Sequence, residues 1–408
     1  MHNIRLILDI AVRQTAPIRP KIGMCRLLGI HMIKEIDLKS KTLNNLVAIA
    51  NQFNLQGQVT DIQAFGNGNI NDTFLVKLDS STQKYFILQR INTHVFRQPK
   101  LVMQNMRVFT DHATKRLQDG TLDRDRCWKI PSVILTQDNR EYWMTPEGDF
   151  WRAISFIDNA KSFDIITDSD RAREVGCALG TFHNLISDLP PKKLADTIAG
   201  FHITPRYFQQ YDTALAQSKK NKSSEIDFCL QFIHNRRTWA RVLEEAKADG
   251  KLPLRLMHGD PKINNVLFDN NTGQAISIID LDTLMPGLIH YDIGDCLRSS
   301  CNFLGEETQT WQEVRFETEL AQAILQGYVF QAKDFLTEND YEYIYDAIRL
   351  LAFELGLRFF TDYLAGNVHF SKVKYEEHNL VRALVQFQLV QSIEVQKSAI
   401  CAIVRDLK

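Results

Sequence analysis

The sequence predicts an α+β fold in two lobes, and three observations lead there. Runs with strand character crowd into residues 59–157 around a single helix. Runs with helical spacing dominate from residue 168 onward. Strands and helices do not alternate as βαβ units, which excludes a doubly wound parallel sheet.

Residues 1–36 precede this pattern. As far as residue 34 they carry six Lys/Arg (Arg5, Arg13, Arg19, Lys21, Arg26, Lys34) against one acid, Asp9. Asp9 and Arg13 interrupt the only apolar core that a signal peptide could use. The segment reads as an unstructured extension, or as an over-long gene start with Met24 or Met32 as initiator, in preference to a transit-like segment. Over residues 37–54, Leu43, Leu46, Ile49 and Phe53 share one helical face. Strand runs follow at Val59–Ile62, Phe74–Leu78 and Tyr85–Ile91, the first two joined by a loop that holds Gly66 and Gly68. A helix is expected over about 100–117, then strands near Ser132–Thr136 and Trp151–Ile157. Residues 37–157 thus form a mostly antiparallel first lobe, and 158–408 a helical second one. The helices of the second lobe are expected at Asp168–Leu185, Pro205–Lys219, Glu225–Ala248, Thr310–Phe330, Tyr341–Leu364 and His378–Ile403.

Composition narrows the function classes. With 408 residues, 44% hydrophobic and 24% charged, the chain is an ordinary globular protein. A net charge of -1 argues against a global nucleic-acid or membrane footprint. Seven cysteines with no C-x-x-C pair exclude the usual zinc spacings and fit free thiols in a reducing, cytoplasmic compartment. No run reaches the roughly 18 apolar residues of a membrane span.

The chemistry concentrates in one block, from His258-Gly259-Asp260-Pro261-Lys262-Ile263-Asn264-Asn265 through Ile279-Asp280-Leu281-Asp282 to Tyr291-Asp292-Ile293-Gly294-Asp295. In-line phosphoryl transfer from a Mg-nucleotide needs a carboxylate for the acceptor hydroxyl, and an amide plus a carboxylate for the metal. Val266–Phe268 and Ala275–Ile279 are strand-like runs flanking the turn Asp269–Gly273. Folding about that turn sets Asn265 opposite Asp280, which suits a hard cation that keeps several waters. Asp260 lies just upstream, and Lys262 can offset charge on the transferring group. A lone Asp-x-x-x-x-Asn is usually a surface hairpin with solvated ends; His258, Lys262 and Asp280 at matching positions outweigh that reading. Asp282 either approaches the metal or substrate or caps the next turn. Asp292 reads as a buried carboxylate that fixes the Asp260 loop, or as a helix N-cap, structural in both cases. Gly66-x-Gly68 lets backbone N–H groups approach phosphates, although two-glycine hairpins are common.

Those motifs (H-G-D-x-x-x-x-N, I-D-x-D after a hairpin, Y-D-x-G-D) resemble the aminoglycoside-phosphotransferase/choline-kinase superfamily, relatives of protein kinases. Within it the chain is most similar to bacterial N-acetylhexosamine 1-kinases, over about residues 44–405. The likeness rests on Gly68–Thr73, Ile87–Asn92, Ile198-Ala199-Gly200-Phe201-His202, Ile279–Gly287, Gly356–Phe359 and Glu377–Arg382. It implies a protein-kinase-like bilobal fold with a small antiparallel N-lobe and a larger helical C-lobe. It implies ATP and Mg²⁺ as cofactors, Asp260 as base, and Asn265 and Asp280 on the metal. It assigns Gly66, Gly68, Asn71, Thr73 and Arg90 to the nucleotide, with Phe156 and Ile157 at the adenine hinge. Asn69, Asp282, Arg358 and His369 fall on the substrate side; Asn69 and His369 depart from the relatives' His and Tyr, which leaves the hexose open. Read without the family, Glu354, Arg358 and Asp362 form an i, i+4 charge ladder, usually a solvated face. Their neighbours are too apolar for that, and a polyol pocket would supply partners.

The expectation is therefore a kinase that converts an N-acetylhexosamine (GlcNAc or GalNAc) to its 1-phosphate, with a small sugar and a nucleotide as partners. Rivals are kinases of another sugar, of a choline-like alcohol or of an aminoglycoside, and a nucleotide-binding pseudokinase. The pseudokinase would predict loss of Asp260, Asn265 or Asp280, and none is lost. Eleven residues between Asp280 and Asp292 are too few for the activation segment of a protein kinase.

Overall fold

The computed structural model describes residues 43–66, 70–120 and 126–408. The expected extension over 1–36, with Gly68 and Asn69, lies outside the described residues. Residues 43–50 are helical, and an antiparallel sheet follows. Its strands are β1 (Val59–Ala64), β2 (Asp72–Leu78), β3 (Tyr85–Ile91), β4 (Val133–Ile134), β5 (Trp143–Met144) and β6 (Phe150–Ser155), in the order β1-β2-β3-β6-β4, with β5 also on β6.

The two faces of this sheet meet different partners, because successive side chains of a strand point to opposite sides. Phe86, Leu88, Trp151 and Ala153 share one small core with Ala50 of the first helical segment and Phe53 just beyond it. Ile91, Phe150 and Ile154 instead join the large core, together with Met103 and Met106 of helix α1 (Pro99–Gln118). Both faces of the central strand β6 are therefore covered, and Phe150–Ile154 are all buried. One of those five is an arginine, Arg152.

The rest of the chain is mainly helical. Helices α2 (Ser169–Ile186), α3 (Thr204–Gln217), α4 (Ser224–Arg236), α5 (Val242–Ala248), α6 (Ile289–Ser300), α7 (Thr318–Ala332), α8 (Glu338–Glu342), α9 (Ile344–Leu364), α10 (His378–Val395) and α11 (Lys397–Asp406) surround one core. Glycines let backbones approach in it: a Cβ on Gly176 of α2 would collide with the Ile324 carbonyl of α7, and one on Gly294 of α6 would lie 2.5 Å from the Ala347 carbonyl of α9.

Four expected helices are shorter or broken, one of them, Tyr341–Leu364, at Tyr343 between α8 and α9. The run from 225 to 248 divides into α4 and α5 around a 3-10 turn at Trp239–Arg241. The run from Thr310 becomes regular only at Thr318. The last one breaks at Gln396 into α10 and α11. Strands β8 (Arg255–Met257) and β11 (Met285–Gly287) pair with each other on either side of the motif hairpin, and at three residues each they are too short to show a period. Among the described residues no helix is long and apolar enough to cross a membrane.

Candidate active site

The motif hairpin is β9 (Val266–Asp269) and β10 (Ala275–Ile278), extended by β7 (Ala160–Lys161). Its register is one residue short of the expected one. The turn closes with the Asp269 N–H on the Gln274 carbonyl, so Ile279 rather than Asp280 faces Asn265, its N–H donating to the Asn265 carbonyl at 2.9 Å. Asp280 follows at once, in the left-handed region at φ 66°. For a non-glycine residue that conformation is uncommon and concentrates at sites where the surroundings impose it.

The loop bearing Asp260 hangs from Asp292. The fully buried Asp292 carboxylate accepts the backbone N–H groups of His258 and Gly259 at 2.6 and 2.8 Å, and His183 Nε2 at 2.8 Å. Burial alone would raise its pKa; the His183 bond and charge lead the effects that outweigh it and hold it below the ordinary value. His258 Nε2 donates to the Ile279 carbonyl while Nδ1 accepts from the Asp260 N–H, an arrangement that defines one neutral tautomer. Burial lowers the His258 pKa, in keeping with that state. Gly259 takes φ 86°, and a Cβ there would stand 2.7 Å from the Thr283 carbonyl.

At the loop's tip, Asp260 Oδ2 accepts from Lys262 Nζ at 2.6 Å and from Asn265 Nδ2 at 3.4 Å, while Asn265 Nδ2 also reaches the Asp260 carbonyl at 2.8 Å. Among the described residues no donor reaches Asp260 Oδ1 or Asn265 Oδ1. Desolvation would lower the Lys262 pKa, but the Asp260 and Asp280 charges carry it above the usual value. Asp280 is open to water yet deep among protein groups. That partial desolvation, followed by the Asp282 charge, pushes its carboxyl up to about 7. Asn265 Oδ1 and the Asp280 carboxylate are two hard oxygen donors with no hydrogen-bond partner among the described residues, a set that fits Mg²⁺ retaining water and phosphate ligands.

Asp282 does not face an open pocket. It is 2% exposed, with Oδ1 2.5 Å from Arg152 Nη1 and Oδ2 accepting from Asn71 Nδ2 at 2.6 Å. Arg152 of β6 and Asn71, just before β2, thus engage the two oxygens, and the Asp282 side chain makes no hydrogen bond within the turn that follows it, among the described residues. Arg152 in turn donates through Nε and Nη2 to Gln89 Oε1, and Gln89 Nε2 donates to Thr73 Oγ1. Thr73, Gln89 and Arg152 are register partners across β2, β3 and β6. Arg90, one residue on, points to the opposite side, where it is half exposed and pairs with Asp72 and Asp149. The strand period therefore separates Arg90 from this row. Arg152, unrecognised from sequence, is the cation that stands there; the signal was one charge inside the otherwise apolar run Phe150–Ile154.

Phe156, after β6, meets Phe65 of the glycine loop and Tyr85 of β3 edge-on, with ring centroids 5.9 and 5.7 Å apart, and Ile157 beside it is buried. Gly66 takes φ 75° with open space where a Cβ would be.

On α9 the expected charge ladder is absent. Glu354 accepts from His202 and Thr204. Asp362 accepts the backbone N–H groups of Val368, His369 and Phe370. Arg358, between them, makes no hydrogen bond or ion pair among the described residues. Its guanidinium lies 5.0–5.6 Å from the ring centroids of Tyr207, Phe201 and Phe370. The His369 side chain is exposed, one residue before Phe370.

A model of the phosphotransferase enzyme family matches residues 61–336. The chain belongs to that family. It is a phosphotransferase of that family. Solved structures share the fold. An aminoglycoside phosphotransferase from Alicyclobacillus acidocaldarius superposes at TM-score 0.56 with 15% identity, over 97% of this chain and 98% of that one. A microcompartment-associated aminopropanol kinase gives 0.56 and 16%, over 88% and 98%. A spectinomycin phosphotransferase, solved with ADP and spectinomycin, gives 0.52 and 13%, over 87% and 98%. The protein-kinase-like bilobal α+β expectation agrees with these neighbours.

Proposed function

We propose that the protein transfers the γ-phosphoryl group of ATP to the anomeric hydroxyl of an N-acetylhexosamine such as GlcNAc or GalNAc, giving a sugar 1-phosphate. The observation that carries this reading is Arg358: a half-buried guanidinium with no anionic partner among the described residues, ringed by three aromatic side chains. Its planar donor fork suits sugar hydroxyls, and the rings suit the apolar faces of a pyranose. The same arrangement disfavours a quaternary ammonium or polycationic acceptor, because the aromatic faces that would receive the cation already hold one.

In this reading the two lobes divide near residue 157. The segment from Phe156 forms the adenine hinge, with the backbone around Gly66 toward the phosphates. Asp260 Oδ1 accepts the proton of the anomeric hydroxyl as its oxygen bonds to the γ-phosphorus; the bond from phosphorus to the β–γ bridging oxygen breaks and ADP leaves. An anomeric hydroxyl is more acidic than other sugar hydroxyls, so a carboxylate suffices as base. Lys262 steadies Asp260 through Oδ2 and adds positive charge beside the transferring group. Asn265 and Asp280 would hold Mg²⁺, which when bound neutralises charge on the phosphates. His369 stands at the rim of the sugar pocket. Phosphorus NMR of the products formed from a panel of free hexoses and amino sugars tests the proposal. A 1-phosphate from an N-acetylhexosamine is expected; a 6-phosphate, or ATP consumption only with choline or an aminoglycoside, overturns it.

A further inference from the structure

The segment Gly200-Phe201-His202 lies 58 to 60 residues before Asp260 in sequence and against its loop in space. His202 is 4% exposed and takes a left-handed backbone, φ 59°. Both of its ring nitrogens meet acceptors: Nδ1 lies 2.9 Å from Glu354 Oε1, and Nε2 lies 3.0 Å from the Gly259 carbonyl. A neutral imidazole has one N–H and can satisfy only one of them, so this geometry calls for the imidazolium. The second Glu354 oxygen accepts from Thr204 Oγ1 at 2.6 Å, which fixes the carboxylate. Tyr291 stacks on the ring at 5.3 Å and seals it.

We propose that His202 is a positioning residue: its imidazolium, gripped by Glu354 and holding the Gly259 carbonyl, locks the catalytic loop to the acceptor-binding helix. This rests on reading Asp260 as base and Arg358 as acceptor ligand. Glu354 stands one helical turn before Arg358 on α9, and Gly259 immediately precedes Asp260. Phe201, the neighbour of His202, carries the Arg358 guanidinium on its ring. One side chain thus sets the distance between the group that would hold the sugar and the group that would take its proton. The groups that face His202 are Glu354 from α9, Tyr291 and Asp295 from α6, Tyr207 from α3, and the Gly259 carbonyl from the loop. Burial opposes the charge, whereas Glu354, the Gly259 carbonyl and Asp295 favour it and prevail.

Two measurements on the full chain test this. Nitrogen-15 NMR of histidine-labelled protein, with His202 assigned from the spectrum of His202→Asn, should show both ring nitrogens protonated at pH 7.5. A neutral tautomer there overturns the proposal whatever the enzyme's substrate. In steady-state kinetics, His202→Asn (Asn tolerates the left-handed backbone) and Glu354→Gln (nearly isosteric) should each lower kcat/KM for the acceptor by about ten- to a hundredfold, with the ATP KM within about twofold. Because the two act as one unit, the double variant should be no worse than the worse single; losses that multiply, or unchanged kinetics in both, overturn the coupling. Asp260→Asn separates the underlying reading: retained turnover there would remove the base assignment, while the NMR result would stand or fall by itself.

Discussion

Arg152 on β6 and Asp282 beyond the motif hairpin form a buried ion pair, Nη1 to Oδ1 at 2.5 Å, with side chains only 1% and 2% exposed. The pair joins the sheet to the loop that carries Asp280, and Asn71 supplies a second tie to the same carboxylate. Removing one partner strands a buried charge. Arg152→Met should therefore destabilise the protein by about 3–5 kcal/mol in denaturant unfolding. Arg152→Met combined with Asp282→Leu should recover much of that loss; a double variant as unstable as the single would mean that the pair itself, not the stranded charge, supplies the stability.

How much of this site was legible is clearest from Asp260, Arg90 and Glu354. The Asp260–Asn265 and Ile279–Asp280 phrases are local, so a turn and two strand runs were enough to bring them together, to within one residue of register. Arg90 lies apart from the Gln89–Arg152 row, and a position along a strand does not reveal which face of the sheet it takes. That depends on what packs on each side, here the 43–50 helical segment on one and α1 on the other. Glu354 and Asp362 read as a ladder with Arg358 because helical spacing makes them neighbours. Their partners, His202 and the 368–370 backbone, come from loops that no periodicity could bring near. The strand runs of the sheet were visible as alternation, whereas β8 and β11 were too short to be.

Asp260 bears the first catalytic test. Asp260→Asn keeps an oxygen acceptor toward Lys262 and Asn265 but cannot take a proton. Its kcat should fall about 10²–10⁴-fold with nucleotide affinity nearly intact, measured by steady-state assay and ADP titration. Turnover within about threefold of wild type would remove Asp260 from the role of base.

Asp280 and Asp282 should separate in their response to metal. Asp280→Ala removes one of two open hard oxygens and should abolish turnover at ordinary Mg²⁺, with a raised requirement for the ion. Asp282→Ala leaves Asp280 and Asn265 in place and should show mainly as lost stability, read by thermal melting beside the Mg²⁺ titration. Equal shifts in the Mg²⁺ requirement would place both carboxylates on the ion.

The charged His202 links stability to pH. Its folded pKa is raised above the unfolded value of about 6.5, so the folded state binds the proton more tightly. Its contribution is full below about 6.5 and is lost as pH rises through the folded pKa. The gap in unfolding free energy between wild type and His202→Asn should therefore narrow with rising pH. A gap that widens instead would mean that burial has won and the ring is neutral.

Arg358 offers the sharpest division between acceptor and nucleotide. Its guanidinium is free of carboxylates because Glu354 is taken by His202 and Thr204, and Asp362 by the backbone of 368–370. Removing it therefore breaks no ion pair among the described residues, so a loss of activity can be read as lost ligand contact. Charged hydrogen bonds of this kind contribute about 1.5–3 kcal/mol, which is roughly ten- to a hundredfold in binding. Arg358→Ala should raise the acceptor KM by that factor and leave the ATP KM within about twofold, because it removes binding to one substrate alone. Arg358→Lys keeps the charge but loses the fork, and should recover little if hydroxyl geometry matters more than charge. An acceptor KM unchanged in both variants would take Arg358 out of the pocket; full recovery in the lysine variant would point instead to an anionic acceptor.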